Sequence, residues 1–97
     1  MYTVRKDIDQ QAIQGLQVLK LFRNEALELL SISLDTDAVF PEHSSPTEAV
    51  LLVLEGRIRF HIAGQEYGLG PQEFLSFQAK NPHWVQADTP SKFLIIR

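Results

Sequence analysis

The sequence predicts an all-β fold, a small sandwich or barrel, on two observations: apolar segments of strand length recur along the chain, and turn signals part them about every eight to twelve residues. Length agrees. At 97 residues the chain makes one small domain, and a domain of this size buries roughly 60 to 65% of the surface it exposes when unfolded, so its core must be compact. Apolar residues at 44% and charged residues at 22% are those of a globular protein and leave no room for disorder or low complexity. We divide the chain into an arm or edge element over residues 1–15 and a barrel over 16–97.

Taken in order, the elements begin with the one segment able to form a helix, Asp7 to Leu16, which Gly15 shortens. Leu16 to Phe22 and Ala26 to Leu34 flank Arg23-Asn24-Glu25 and read as a hairpin. Ala38 to Phe40 is a short strand, and Pro41 to Thr47, with two prolines and two serines, reads as a loop. Ala49 to Leu54 is the longest unbroken apolar run and the most buried-looking segment. Glu55-Gly56 turns the chain into Arg57 to Ile62, where Ile58, Phe60 and Ile62 alternate with Arg57, Arg59 and His61 to give one dry and one wet face. Turns over Ala63 to Glu66 and Gly70 to Glu73 bound a strand at Tyr67 to Leu69, and Phe74 to Phe77, His83 to Ala87 and Phe93 to Ile96 complete the set.

Several functions are excluded or disfavoured at this level. Nine basic and twelve acidic residues give a net charge of -3 with no basic cluster, so the chain has no electrostatic footprint for nucleic acid. Cysteine is absent, which removes disulfides, thiolate metal sites and Cys nucleophiles. Met1 to Gln11 lacks the apolar core of a signal peptide, and no apolar run approaches the length of a membrane span, so a soluble protein of the cytoplasm is expected.

From Pro41 onward the order becomes specific: a loop bearing His43, an apolar strand ending Val-Leu-Glu-Gly, a further strand, Tyr-Gly-Leu-Gly-Pro, another strand, then Asn-Pro-His. Over about residues 38 to 97 this resembles a small single-domain cupin of the RmlC-like superfamily, whose first motif runs G-x5-H-x-H-x3,4-E-x6-G and whose second runs G-x5-P-x-G-x2-H-x3-N. His43 matches the first histidine, Gly56 the closing glycine of the first motif, and His83 the histidine of the second. The resemblance implies a jelly-roll double-stranded β-helix barrel, often homodimeric, with a ligand or a metal in its cavity.

The departures bear on the site. Ser45 stands where the family has its second histidine and Ala49 where it has its glutamate, while Gln72, Gln78 and Lys80 replace Gly, Pro and Gly. A metal centre of this family converges three imidazoles and one carboxylate, so His43 and His83 alone imply an incomplete site that holds no metal or only a weakly bound divalent transition metal. Glu48 neighbours Ala49 and by strand alternation points away from the barrel; His61 shares the wet face with Arg57 and Arg59. Trp84 lies on the face opposite His83, where a large aromatic suggests a dimer contact, and pairing of two barrels through the first hairpin or the residues before it would cover an open sheet edge. The expected ligand pocket is lined by His43, Ser45, Ala49, Leu51, Val53, Gln78 and His83, with Ile58 as a further wall, and takes a small molecule. The alternative is a metal-dependent dioxygenase or isomerase using His43 and His83, which Glu48 or His61 beside both histidines would favour. No catalytic residue is assigned.

Overall fold

The computed structural model describes residues 1–97 and is built almost wholly of strands. A one-turn helix, α1 (Asp7–Gln10), precedes β1 (Leu16–Arg23), β2 (Glu28–Leu34), β3 (Val39–His43), β4 (Ala49–Glu55), β5 (Ile58–Ile62), β6 (Gln65–Leu69), β7 (Phe74–Phe77), β8 (His83–Ala87) and β9 (Ser91–Ile96). They form two antiparallel sheets, one of five strands in the order β1-β2-β9-β4-β7 and one of four in the order β3-β8-β5-β6. This is the jelly-roll arrangement, in which neighbours in a sheet come from distant parts of the chain.

Period-two alternation decides what faces inward. Leu30, Ile32 and Leu34 of β2, Ala49, Leu51 and Val53 of β4, and Phe93 and Ile95 of β9 meet Ile58 and Phe60 of β5 and Val85 and Ala87 of β8 in one buried core. The first hairpin forms with Leu16 opposite Leu34, and a bulge at Leu21 brings Phe22 opposite Leu29. Its turn is held by Asn24, whose Oδ1 accepts from the backbone N–H groups of Ala26 and Leu27 at 2.8 and 2.9 Å.

Three expectations need correction. The helix expected over Asp7 to Leu16 is confined to Asp7–Gln10, and Gln11 is already extended with ψ 126°. The segment instead lies along the sheet and bonds to it: the Gln11 side chain exchanges bonds with Ser31, its Nε2 donating to Ser31 O at 3.0 Å and its Oε1 accepting from Ser31 Oγ at 2.5 Å, and Ser33 Oγ donates to Ala12 O at 2.7 Å. Second, β3 does not end at Phe40 but runs through Pro41 to His43. Proline is accommodated because β3 is an edge strand, and the register with β8 shifts between Phe40 and His43. Third, β6 starts at Gln65 and β9 at Ser91, each two residues earlier than the turn at Ala63 to Glu66 and the break at Asp88 to Ser91 implied.

Gly56 carries the fold's tightest turn. Its φ is +84°, and a Cβ there would collide with Ser91 Oγ and the Pro90 carbonyl. Ser91 Oγ in turn accepts from Arg57 N–H at 3.0 Å, which ties the β4–β5 turn to the start of β9.

Candidate functional site

His43 ends β3, His83 begins β8, and the two are partners across that strand pair on the inner side of the barrel. Their Nε2 atoms lie 3.1 Å apart. Nδ1 of His43 is 2.6 Å from the Pro41 carbonyl and Nδ1 of His83 is 2.8 Å from the Asn81 carbonyl. A carbonyl oxygen can only accept, so each Nδ1 carries its proton, and the close Nε2–Nε2 contact is a hydrogen bond only when one ring also holds a proton on Nε2; without it, two lone pairs face each other.

The surroundings are aromatic. Phe40 stacks on His43 with ring centroids 4.3 Å apart, and Phe77 and Phe60 approach His83 at 4.6 and 5.5 Å. His83 is 3% exposed, while His43 is half-buried. Burial lowers the His83 pKa from the ordinary 6.5, and the nearby His43 and Arg97 act in the same direction, against the opposing bond to Asn81. Charge on His83 is thereby disfavoured.

The remaining site candidates fall in different places. Ser45 is buried, and its Oγ accepts a long 3.4 Å bond from Thr47 N–H. Ala49, Leu51 and Val53 project inward and are packed into the core with at most 1% exposure, as is Ile58. Gln78 is exposed. Glu48 is exposed as well and borders a surface cavity of about 450 Å³ with Arg23 and Arg97 that neither histidine lines. His61 lies on the outer face of the four-stranded sheet, stacked on Trp84 at 3.6 Å with the rings 1° from parallel. Its Nε2 is 3.5 Å from Glu66 Oε1, but the alignment gives no hydrogen bond. Trp84 therefore packs first against its own chain.

No group of three or more His, Asp or Glu side chains is assembled that could hold a metal ion. The donor chemistry explains why. A carbonyl on Nδ1 is the support that metal-ligating histidines ordinarily have, so the pair is suitably oriented, but the carboxylate position is the methyl of Ala49 and the second histidine position is the hydroxyl of Ser45. The residues present do not complete the three-imidazole, one-carboxylate centre.

The backbone keeps what the side chains have lost. Gln72 and Lys80, at two motif positions where glycine is usual, have φ of +68° and +67°, and Asp37, at the position of the first motif's opening glycine, has φ +64°. The sequence profile of the cupin domain family, Cupin_2, matches residues 30–97. This chain belongs to the cupin family. Its cupin barrel superposes on an RmlC-like cupin from Desulfovibrio desulfuricans with a TM-score of 0.87 at 20% identity, over 99% of this chain and 95% of that one. KdgF from a Halomonas species is similar with a TM-score of 0.83 at 18% identity, covering 99% and 90%. The Cupin_2 domain of an XRE family transcriptional regulator from Enterobacter cloacae gives 0.76 at 24% identity, covering 86% and 95%. No curated protein matches the chain in sequence. At these identities the structural neighbours establish the cupin fold, which hosts both enzymes and regulators.

Sequence reasoning missed two participants. Phe40 was assigned only to a short strand, although its place three residues before His43 on the same edge was the available signal. Lys92 was not singled out at all. It is buried on the outer face of the five-stranded sheet, where its Nζ donates to the carbonyls of Ile8 at 2.6 Å and Asp9 at 3.3 Å. A lone cation among Phe93, Leu94, Ile95 and Ile96 was the clue.

Proposed function

We propose that this cupin is a small-molecule binding module, working as a homodimer, whose recognition centre is the His43–His83 pair at the end of the barrel. The observation that carries it is the pair of Nε2 acceptors 3.1 Å apart, each fixed by a carbonyl on Nδ1. When neither Nε2 carries a proton, an amide or amine N–H of a ligand set beside the pair is shared between both nitrogens and relieves their facing lone pairs. Phe40 and the half-buried His43 ring provide an apolar wall for the rest of the molecule.

A divalent transition metal fits this donor set only weakly, because no carboxylate offsets its charge and two ligand positions are missing. A third ligand from Glu48 or His61 would favour the dioxygenase or isomerase reading, and neither joins the two histidines in a group of three metal-ligating side chains.

The test is a thermal-shift and NMR screen of small primary amides, amines and polyols against the wild type and the His43→Ala/His83→Ala variant, with elemental analysis of both proteins. Binders that raise Tm and move the imidazole resonances in the wild type alone support the reading. Binders acting equally on both proteins place recognition elsewhere. Near-stoichiometric metal lost in the variant restores the enzyme reading.

A further inference from the structure

The bulge in β3 serves both sides of the four-stranded sheet. Phe40 stands opposite Val85 and His43 opposite His83, so Pro41 and Glu42 together oppose the single residue Trp84. The extra residue lets Phe40 pack against the core and stack on His43, and it sets Glu42 in the wall of a surface cavity of about 320 Å³ that Trp84 and His61 also line. At the same level of the sheet His61 is the partner of Trp84 on one side and of Glu66 on the other. One row therefore crosses all four strands in the order carboxylate, indole, imidazole, carboxylate, with about 4.8 Å between neighbouring strands.

What this row offers is one-sided. No lysine or arginine stands among the cavity walls, and Glu42 takes part in none of the chain's ion pairs. Arg59, on the same face, is already shared among Asp88 at 2.8 Å, Gln86 at 3.2 Å and Glu66 at 3.9 Å. His61 Nε2 is buried without a hydrogen-bond partner, 3.5 Å from Glu66 Oε1; the carboxylate favours the ring's proton on that nitrogen and leaves the lone pair on Nδ1. The Trp84 and His61 rings lie flat on each other at 3.6 Å, and an indole face carries the negative side of its quadrupole. A carboxylate, an imidazole lone pair, the Gln65 amide oxygen and an aromatic surface all attract positive charge, and Ile62 and Pro82 add apolar contact beside them. The volume lies at the lower end of the range for small-molecule sites.

We propose that this cavity beside the β5–β6 turn binds a small organic cation, an ammonium or guanidinium group on an apolar stem, with Glu42 as its counter-ion and Trp84 as its aromatic support. It is a second site, distinct from the His43–His83 pair on the inner side of the sheet, and it does not depend on what that pair binds.

Choline and its uncharged isostere 3,3-dimethylbutan-1-ol are the probes. They are titrated into the full chain and followed by the fluorescence of Trp84, the one tryptophan, and by the NMR amide signals of Gly64 and Gln65. Choline is expected to saturate with a Kd of about 1 mM or below, and the alcohol to bind at least about tenfold more weakly. Glu42→Gln is expected to weaken choline by about fivefold, and Gln65→Lys, which sets an ammonium in the wall, by about tenfold. Trp84→Leu, read on the two amides, is expected to weaken it by about tenfold, and Glu48→Gln, on the other cavity, to change nothing. Circular dichroism checks folding, and the exposed Glu42 and Gln65 variants serve if Trp84→Leu does not fold. No saturation up to about 50 mM, or an alcohol that binds as tightly as choline, overturns the site. Choline binding that survives Glu42→Gln but is lost in His43→Ala/His83→Ala overturns it too, by placing the cation at the inner pair.

Discussion

The outer sides of the two sheets solve the same problem differently. On the four-stranded sheet Arg59 bonds to Asp88 at 2.8 Å and Gln86 at 3.2 Å, His61 stacks on Trp84, and the face is finished within its own chain. On the five-stranded sheet one end is finished by Lys92 and the arm, and the other end presents aliphatic rows to solvent. Antiparallel sheets tolerate one wet face, and the difference shows that wetness is a property of the side chains chosen and not of the fold. β9 makes the contrast within one strand. Phe93 and Ile95 point into the core while Lys92, Leu94 and Ile96 point out.

The comparison is sharpened most by Phe93→Ala against Leu94→Ala. The first removes a side chain with 0% exposure, and a loss of about 3 to 5 kcal/mol is expected in urea denaturation. The second, measured at low protein concentration, is expected to cost about 1 kcal/mol or less. Equal losses would mean that the outer face is packed in the single chain after all. Lys92→Met tests the finished end. It leaves the Ile8 and Asp9 carbonyls without their donor, and a loss of about 1 to 3 kcal/mol is expected, with faster amide exchange at Ser31 and Ser33.

A pH series separates the inner histidine from the outer one. The His83 pKa is lowered on folding, so the unfolded chain binds the proton more readily, and stability must fall as pH drops through and below the ordinary value of 6.5. Thermal melts from pH 7.5 to 5 are expected to show this decline in the wild type and to show less of it in His83→Gln. His61→Gln, on the outer face, is expected to keep the decline. The smallest effect concerns Lys80, whose φ of +67° suits glycine better. Lys80→Gly is expected to change stability by no more than about 1 kcal/mol, in the favourable direction, because relief of the left-handed backbone slightly outweighs the added freedom of the unfolded chain. A clear loss would show that the Lys80 side chain does more than occupy a turn.

Much of the fold was legible because strand alternation is local. Ile58, Phe60 and Ile62 set against Arg59 and His61 give the faces of β5 from sequence alone, and the Asn24 turn fixes its own hairpin. The path of β3 through Pro41 was not legible, since whether proline is tolerated depends on the strand lying at an edge, which is a fact about the whole sheet. The site shows the same division. His43 and His83 are 40 residues apart in the chain and were joined only by the family's motif spacing, whereas the lone-pair conflict between them arises from carbonyls that no residue identity encodes. The apolar outer rows were hidden for another reason: Ala49 to Leu54 is apolar without alternation, so it announces burial on both faces but not what does the burying.

The position of β9 has a consequence for biosynthesis. It is the last of the nine strands in chain order and the middle strand of its sheet, paired with β2 on one side and β4 on the other. A ribosome that has released every earlier strand has therefore produced two half-sheets with facing edges and nothing to bridge them. Cooperative closure has to wait for Ser91 to Ile96, and until then the nascent chain exposes open strand edges to its neighbours.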